Sequence, residues 1–328
     1  MSSEITKNLM ADLARRGKEG LEFAKKIMQA EKVDYPKLRE ALQYYLDNWK
    51  DFTHSGLFSL ACEAVNGDLQ VTLPFQASMA IIAAAFDLHD DIIDQSETKH
   101  SVPTVYGKYG LEIALLLGNA FWVEGFTLLV TSIAEIAPNK ASQTLRILKT
   151  NLYDVGNAHG LELGLKGKAS VSPAECMQFV EKKAASVEAD MRIGAIFGGG
   201  TVAEAEILAK YGRIMGILTT LREEFIDVFE VEELVQKIRI KQLPIPILFA
   251  MQEPYRRKKI NKILANKNIT NEDVEELVEL TFESKHVKEL KRNMEELVVE
   301  ATSILIGLSN KKVGLQLHQW VSSMLEDL

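Results

Sequence analysis

Three aspartates, Asp90, Asp91 and Asp94, stand in a stretch that is otherwise apolar: IIAAAF lies just upstream of them, and two isoleucines separate the second from the third. On a helix each residue turns by about 100°, so Asp90 and Asp94 lie roughly 40° apart on one face, with Asp91 flanking them. Asp87 falls on the same stripe. Flanks this apolar have to be buried, and like charges crowded this closely repel unless a cation is shared among them. Oxygen ligands supplied one or two at a time, with water and substrate phosphate completing the shell, are how Mg²⁺ is usually held. A solvated acidic helix face is the competing explanation, and the apolar flanks count against it.

The rest of the chain supports a helical setting. It has 328 residues, 47% of them hydrophobic, with only eight prolines and long runs free of any breaker. Apolar residues recur at i, i+3 and i+4 almost throughout, and period-two strand patterns are scarce. The expectation is an all-α protein, one large helical bundle around a central cavity, with no boundary that divides residues 1–328 into domains. The net charge of −8 and the lack of a basic block argue against nucleic acid as a partner. Cys62 and Cys176 can make neither a disulfide framework nor a thiolate metal site. The N-terminus has no signal-peptide core, and the apolar runs near Ser78 to Phe86 and Ile113 to Val123 are short for a bilayer. A soluble cytoplasmic protein without a transmembrane segment is expected.

In chain order, two amphipathic helices broken near Asp34-Tyr35-Pro36 are followed by an apolar helix from Leu57 to Val65. Pro74 is placed near the first turn of the aspartate-bearing helix. A polar loop with Pro103 and Gly107 leads to a nearly uniformly apolar helix, Leu111 to Ile136, expected to be buried all round. After a helix over residues 142–165, Ser172-Pro173-Ala174-Glu175 reads as a capping box opening a long helix to Phe197, stopped by Gly198-Gly199-Gly200. A helix from Ala203 to Val228 follows, and the C-terminal quarter reads as three helices separated near Lys267-Asn268 and Asn310-Lys311.

The helix ending at Val228 carries a second acidic cluster, Glu223, Glu224 and Asp227, with the same spacing as the aspartates, and Glu230 one turn on. A bundle can set the two acidic faces opposite each other across a cavity with apolar walls. Such a cavity suits a greasy tail with a diphosphate head bridged by Mg²⁺, the metal neutralising the diphosphate as it leaves. Basic side chains would help to hold the leaving group. Phe86, one turn below Asp90, would lie deeper and limit the tail. A surface acidic patch is the alternative for Glu223, Glu224 and Asp227, weakened by their pairing with the aspartates.

The runs DDIID, ETKHSVPT and YG, with Gly118-Asn119-Ala120 at the next core segment, resemble the trans-isoprenyl diphosphate synthases, or polyprenyl synthetases, as a divergent member. The resemblance covers most of the chain and is strongest from about Leu57 to Ala250. It implies an all-α bundle, usually dimeric, that joins an allylic prenyl diphosphate to isopentenyl diphosphate with Mg²⁺ held by two aspartate-rich motifs. Asp90, Asp91 and Asp94 match the first motif. Glu223, Glu224 and Asp227 take the place of the second, with glutamate for two aspartates. By the same resemblance Lys183 contacts the allylic diphosphate, Lys241 lies one residue out of register from a second such lysine, and Lys99 keeps the charge of an arginine. Asp90, Asp91 and Lys183 are thus the implied catalytic residues. Lys99, Lys183, Lys241 and Phe86 are expected to contact substrate.

The departures concern isopentenyl diphosphate. Counting back from Ala61-Cys62-Glu63-Ala64, Asp51 and His54 replace the family's lysine and arginine, His100 a second arginine, and Ala83 a polar residue. Thr219-Thr220 replace a Phe-Gln pair, and the segment between Asp227 and Lys241 is shortened. A point-charge anion site does not survive exchange of lysine for aspartate. The ordinary second substrate is therefore not expected to bind in the ordinary way. The alternatives are a class I terpene synthase and a non-catalytic subunit of a heteromeric synthase. His159, His286 and His318 form no ligand spacing and read as surface or core polar residues, His89 as a packing residue or a support behind the aspartates. Arg222 reads as a neighbour neutralising the acids or a phosphate contact, and Asp87 as an extension of the metal site or a charge placed in the cavity.

Overall fold

The computed structural model describes residues 4–328 apart from His100, Ala169, Lys267, Asn268 and Asp327, and among them are sixteen α-helices and one two-stranded hairpin. The helices are α1 (Glu4–Ala30), α2 (Pro36–Asn48), α3 (Thr53–Ala64), α4 (Leu69–Ile93), α5 (Val105–Tyr109), α6 (Leu111–Ile136), α7 (Ala141–Leu165) and α8 (Pro173–Lys183). They continue as α9 (Ala185–Phe197), α10 (Val202–Phe229), α11 (Val231–Arg239), α12 (Ile245–Ala250), α13 (Pro254–Leu264), α14 (Asn271–Phe282), α15 (Lys285–Ile304) and α16 (Lys311–Ser323). Strands β1 (Thr98–Lys99) and β2 (Val102–Pro103) pair antiparallel between α4 and α5. The all-α expectation holds.

Several helix ends follow from local chemistry. Ser172 and Glu175 form the expected capping box at α8, and Thr201 with Glu204 forms another at α10. Gly199, at φ +84°, supplies the left-handed residue that ends α9. The start of α4 differs from expectation. Asp68 caps it through Gln70 N–H at 2.9 Å, so the helix begins at Leu69 and Pro74 sits in its second turn. The C-terminal region holds more helices than expected, because Ser284 caps α15 immediately after α14. One of the expected breaks, Lys267-Asn268, lies outside the described residues.

The helix expected to run unbroken to Phe197 is divided at Ala184. No proline or glycine causes the break. Asn151 of α7 donates to the Ala185 carbonyl at 2.8 Å, and Gly216 of α10 lies against Ala184, so close that a Cβ there would fall 2.7 Å from the Ala184 Cα. A side chain inserted into the ladder and a neighbour pressed onto the backbone are sufficient to end one helix and start another. The break leaves Lys183 at the end of α8, inside the bundle.

Helices α4 and α6 form the most intimate pair. Gly118 packs on the His89 ring and Gly125 on Ile82, with no room for a Cβ. Their length and apolar content are sufficient to cross a membrane, contrary to the shorter runs read from the sequence. Nor is α6 buried all round: Leu117 and Phe121 face inward, while Leu115, Leu116, Val123 and Val130 are exposed. Uniform composition gives no information about which face packs. Beneath the acidic helix ends, Phe58, Phe75, Met79, Ile82, Leu148 and Ile193 form an apolar floor.

Helices α3 and α9 meet at Gly194, where an added Cβ would fall 2.5 Å from the Phe58 carbonyl oxygen. They are also joined by an ion pair between His54 Nδ1 and Asp190 Oδ2 at 2.6 Å, with Asp190 fully buried. Burial alone would lower the imidazole pKa, but Asp190 outweighs it and His54 is raised to about 9. Gly194→Ala is expected to destabilise the fold by about 1–3 kcal/mol through overpacking. Gly156→Ala, on α7 where nothing lies within 4 Å, should be neutral or stabilising in the same denaturant titration. Because the folded pKa of His54 exceeds its unfolded value, its contribution is complete below the unfolded pKa and lost as pH rises through about 9. His54→Ala should cost about 3–5 kcal/mol at neutral pH by stranding Asp190, whereas joint replacement of both residues by leucine should cost far less.

Candidate active site

The carboxylates of α4 emerge where the helix leaves the apolar floor, and each is met by a lysine or histidine from another element. His159 Nδ1 of α7 lies 3.0 Å from Asp90 Oδ1, Lys99 Nζ of β1 2.7 Å from Asp91 and 2.6 Å from Asp87, and Lys166 Nζ 3.3 Å from Asp94. Burial alone would raise Asp90, but the His159 hydrogen bond and the Lys183 charge hold it at about 2. Asp91 goes the other way. Burial, with Asp87 and Asp90 beside it, pushes it up to about 7 despite Lys99. Adjacent carboxylates are thus set apart in acidity by their surroundings.

On α10, Lys237 of α11 bridges Glu224 Oε1 at 3.0 Å and Asp227 Oδ2 at 2.5 Å, and the Ile245 N–H donates to the other Glu224 oxygen at 2.8 Å. Glu223 is open to solvent. Lys183 links the two clusters. Burial would lower its pKa, but Glu162 of α7, Asp90 of α4, and Glu223 and Glu224 of α10 raise it and keep it charged. Glu162 in turn is raised by burial and by its neighbours Glu224, Asp94 and Asp90, and accepts from Gln242 at 2.7 Å. The acidic ends of α4 and α10 therefore share one electrostatic neighbourhood with α7 and Lys183 between them.

Below Asp90 opens a cavity of about 200 Å³. Its walls are apolar, with Met79, Ile82, Phe86, Leu148 and Leu152 prominent, and Asp90, His159 and Lys183 also line it. Phe86 lies in this wall as expected, fixed edge-on against Trp122 at a 4.6 Å centroid separation. Asp51, His54 and Ala83 line the same cavity. His54 has its charge answered by Asp190, which leaves Lys183 the one lysine or arginine among the lining residues. A second cavity of about 410 Å³ lies beyond Glu162 and Glu224, and it takes in Lys241. His100 lies outside the described residues.

Several residues were not anticipated. His159 contacts Asp90 instead of standing idle, and Glu162, one turn on along α7, belongs to the same group; their i, i+3 spacing was the available signal. Lys237 has no role in the sequence reading, because α11, which turns it back onto Glu224, was not foreseen. Arg222 neither neutralises the acids nor is free for phosphate, because it donates to the Met324 and Glu326 carbonyls at 2.9 and 2.6 Å. His89 is a packing residue, accepting from Trp122 Nε1 at 3.1 Å.

Among the described residues no three His, Cys, Asp or Glu side chains converge closely enough to hold a metal ion alone. The donor set still fits Mg²⁺, which takes one or two carboxylates and completes its shell with water and phosphate oxygens. Counting Asp87 and Glu162 with the two clusters, eight carboxylates face four lysines across this region, an excess of negative charge that a divalent ion would reduce.

A model of the polyprenyl synthetase family matches residues 35–281. The chain is 28% identical over 204 residues to a geranylgeranyl diphosphate synthase of Methanosarcina mazei, a stretch that spans 62% of this chain and 62% of that protein. It is 22% identical over 255 residues to a geranylgeranyl diphosphate synthase of Sulfolobus acidocaldarius, covering 74% and 76% of the two. In fold it is similar to geranylgeranyl pyrophosphate synthetase from Pyrococcus horikoshii, with a TM-score of 0.85 and 21% identity over 99% of this chain and 100% of the other. It is also similar to a polyprenyl synthase from Caulobacter crescentus solved with calcium and isoprenyl diphosphate, with a TM-score of 0.81 and 17% identity over 99% and 98%. The structural likeness carries the all-α fold, and the family match over three quarters of the sequence carries membership: this chain belongs to the polyprenyl synthetase family.

Proposed function

We propose that the protein is a cytoplasmic, Mg²⁺-dependent prenyltransferase that ionises an allylic prenyl diphosphate and passes the prenyl group to an acceptor. The observation that carries this reading is Lys183, charged and half-buried among carboxylates from three helices at the head of an apolar cavity. The Caulobacter crescentus relative, solved with a divalent ion and isoprenyl diphosphate, is consistent with it. The chain would work as one bundle from residue 1 to 328. The exposed Leu115, Leu116, Val123 and Val130 of α6 offer a face for a second copy in a homodimer.

In this scheme the prenyl tail lies along Met79, Ile82 and Leu152, with Phe86 limiting its depth, and Lys183 and Lys99 hold the diphosphate. Mg²⁺ held by Asp90, Asp91 and Asp94 on one side and Glu223, Glu224 and Asp227 on the other would neutralise charge on the departing diphosphate. The allylic C–O bond breaks with its electron pair leaving on the diphosphate. The carbocation remains among apolar side chains that exclude water. A new bond then forms from the acceptor to the allylic carbon, and the acceptor loses a proton.

The acceptor side is where the chain departs from its family. Asp51 and His54 line the cavity, and the His54 charge is consumed by Asp190, so no free cation from α3 is offered to a second diphosphate. Isopentenyl diphosphate either binds in an altered way or is replaced. Loss of that subsite favours, as a second reading, a class I terpene synthase that closes the ring internally or captures water.

The test incubates the protein and Mg²⁺ with geranyl, farnesyl or geranylgeranyl diphosphate, with and without isopentenyl diphosphate. Diphosphate release is expected from at least one of them, abolished by chelation and lowered by about two to three orders of magnitude in Asp90→Asn or Lys183→Ala. Elongated diphosphates mark a chain-lengthening synthase, and hydrocarbons or alcohols the second reading. No release from any substrate, in protein shown to be folded, contradicts both.

A further inference from the structure

The larger of the two cavities enters that scheme only through Glu224 in its wall. It is bounded by the end of α7, by α8, by the segment linking α11 to α12, and by α13, and shares no lining residue with the cavity below Asp90. Its interior is apolar: Leu165, Phe179, Leu243, Leu248, Met251 and Leu264 supply most of it. Its rim is basic, with Lys166, Lys168, Arg239 and Lys241.

Three details separate it from a packing defect. Lys166 and Lys168 are occupied by Asp94 and Glu175, but Arg239 and Lys241 are exposed and make no side-chain ion pair or hydrogen bond among the described residues. Lys241 is held in the left-handed region at φ +58°, which costs a non-glycine residue about 1 kcal/mol or more. Its carbonyl is fixed by Gly167 N–H at 2.9 Å, and its side chain lies over Gly167 at the rim. Finally, Gln242 uses its amide N–H on Glu162, while its Oε1 is buried against this cavity with no partner. An unpaired buried acceptor normally calls for a donor from a ligand or water.

We propose that this cavity is a second binding site for an amphipathic anion, a phosphate-headed lipid. Arg239 and Lys241 hold the head, the chain lies against Phe179, Leu248, Met251 and Leu264, and Gln242 Oε1 takes a donor from the ligand or from a water it carries. A soluble anion would use only the rim, and a neutral lipid would leave two cations unanswered. Both halves of the lining are satisfied together only by a molecule with both parts. Two sources share this chemistry, a prenyl phosphate and a straight-chain alkyl or acyl phosphate. Glu162 and Glu224 form part of the wall and belong also to the carboxylate group around Lys183, so an occupant bears directly on that group.

The experiment measures equilibrium binding, without turnover, of geranylgeranyl monophosphate, dodecyl phosphate and inorganic phosphate to the full chain. A background carrying both Lys99→Ala and Lys183→Ala removes the two lysines that the scheme gives to the other diphosphate. Saturable binding of at least one lipid phosphate is expected in that background, at least about tenfold tighter than inorganic phosphate because of the buried chain. Arg239→Glu with Lys241→Glu should weaken it by about tenfold or more. Leu248→Trp, which fills the interior and leaves the rim intact, should weaken it as well, in protein whose unfolding midpoint matches the parent. Tighter binding of the prenyl or of the alkyl probe identifies the source, and either supports the site. The proposal is overturned if neither lipid phosphate saturates, or if binding persists through both the charge reversal and Leu248→Trp. Either result leaves the prenyl-transfer proposal standing, because no turnover is measured.

Discussion

Electrostatic compensation at the meeting of α4, α7 and α10 is the constraint that the rest of the structure serves. The acidic ends of α4 and α10 would repel each other across a low-dielectric gap if left alone. They are held by cations drawn from distant parts of the chain: Lys99 from the hairpin, Lys166 from the end of α7, Lys183 from the end of α8 and Lys237 from α11. Each of these elements is placed so that its basic residue reaches inward. The price is a cluster of buried charges, and such clusters are retained for function more readily than for stability.

The division between α8 and α9 shows how packing serves chemistry. A continuous helix would carry Lys183 past the site on a fixed spoke. Asn151 and Gly216 instead end α8 at that lysine, and the next helix starts with Ala185 and soon delivers Asp190 to His54. One break thus positions a cation at the head of the cavity and an anion that cancels the only positive charge α3 could offer.

How much of this was legible in the sequence depended on whether the cause was local. The aspartates of α4 could be read as a site because their flanks, IIAAAF and the two isoleucines, are incompatible with a solvated helix. The capping box at Ser172 and the glycine stop at Gly198–Gly200 are also local, and both hold. Causes that arise only from tertiary contacts were not legible. The break at Ala184 comes from Asn151, more than thirty positions away, and the placement of Lys237 depends on a short helix folding back. The exposed face of α6 could not be read from a run that is apolar on every side, and Asp68 took the start of α4 from Pro74 because a cap outweighs a proline. His159 was only faintly legible, through its i, i+3 spacing with Glu162, because the carboxylate that it meets, Asp90, lies on another helix.

The most direct test of the account is diffraction from crystals grown with Mn²⁺ in place of Mg²⁺ and a non-ionising allylic thiodiphosphate. Anomalous peaks are predicted between the thiodiphosphate and carboxylates of both helices, Asp90 or Asp94 on α4 and Glu223 or Asp227 on α10, with Lys183 on the diphosphate. Metal bound to one helix only, or a thiodiphosphate seated away from Lys183 while Lys237 still bridges Glu224 and Asp227, would contradict it.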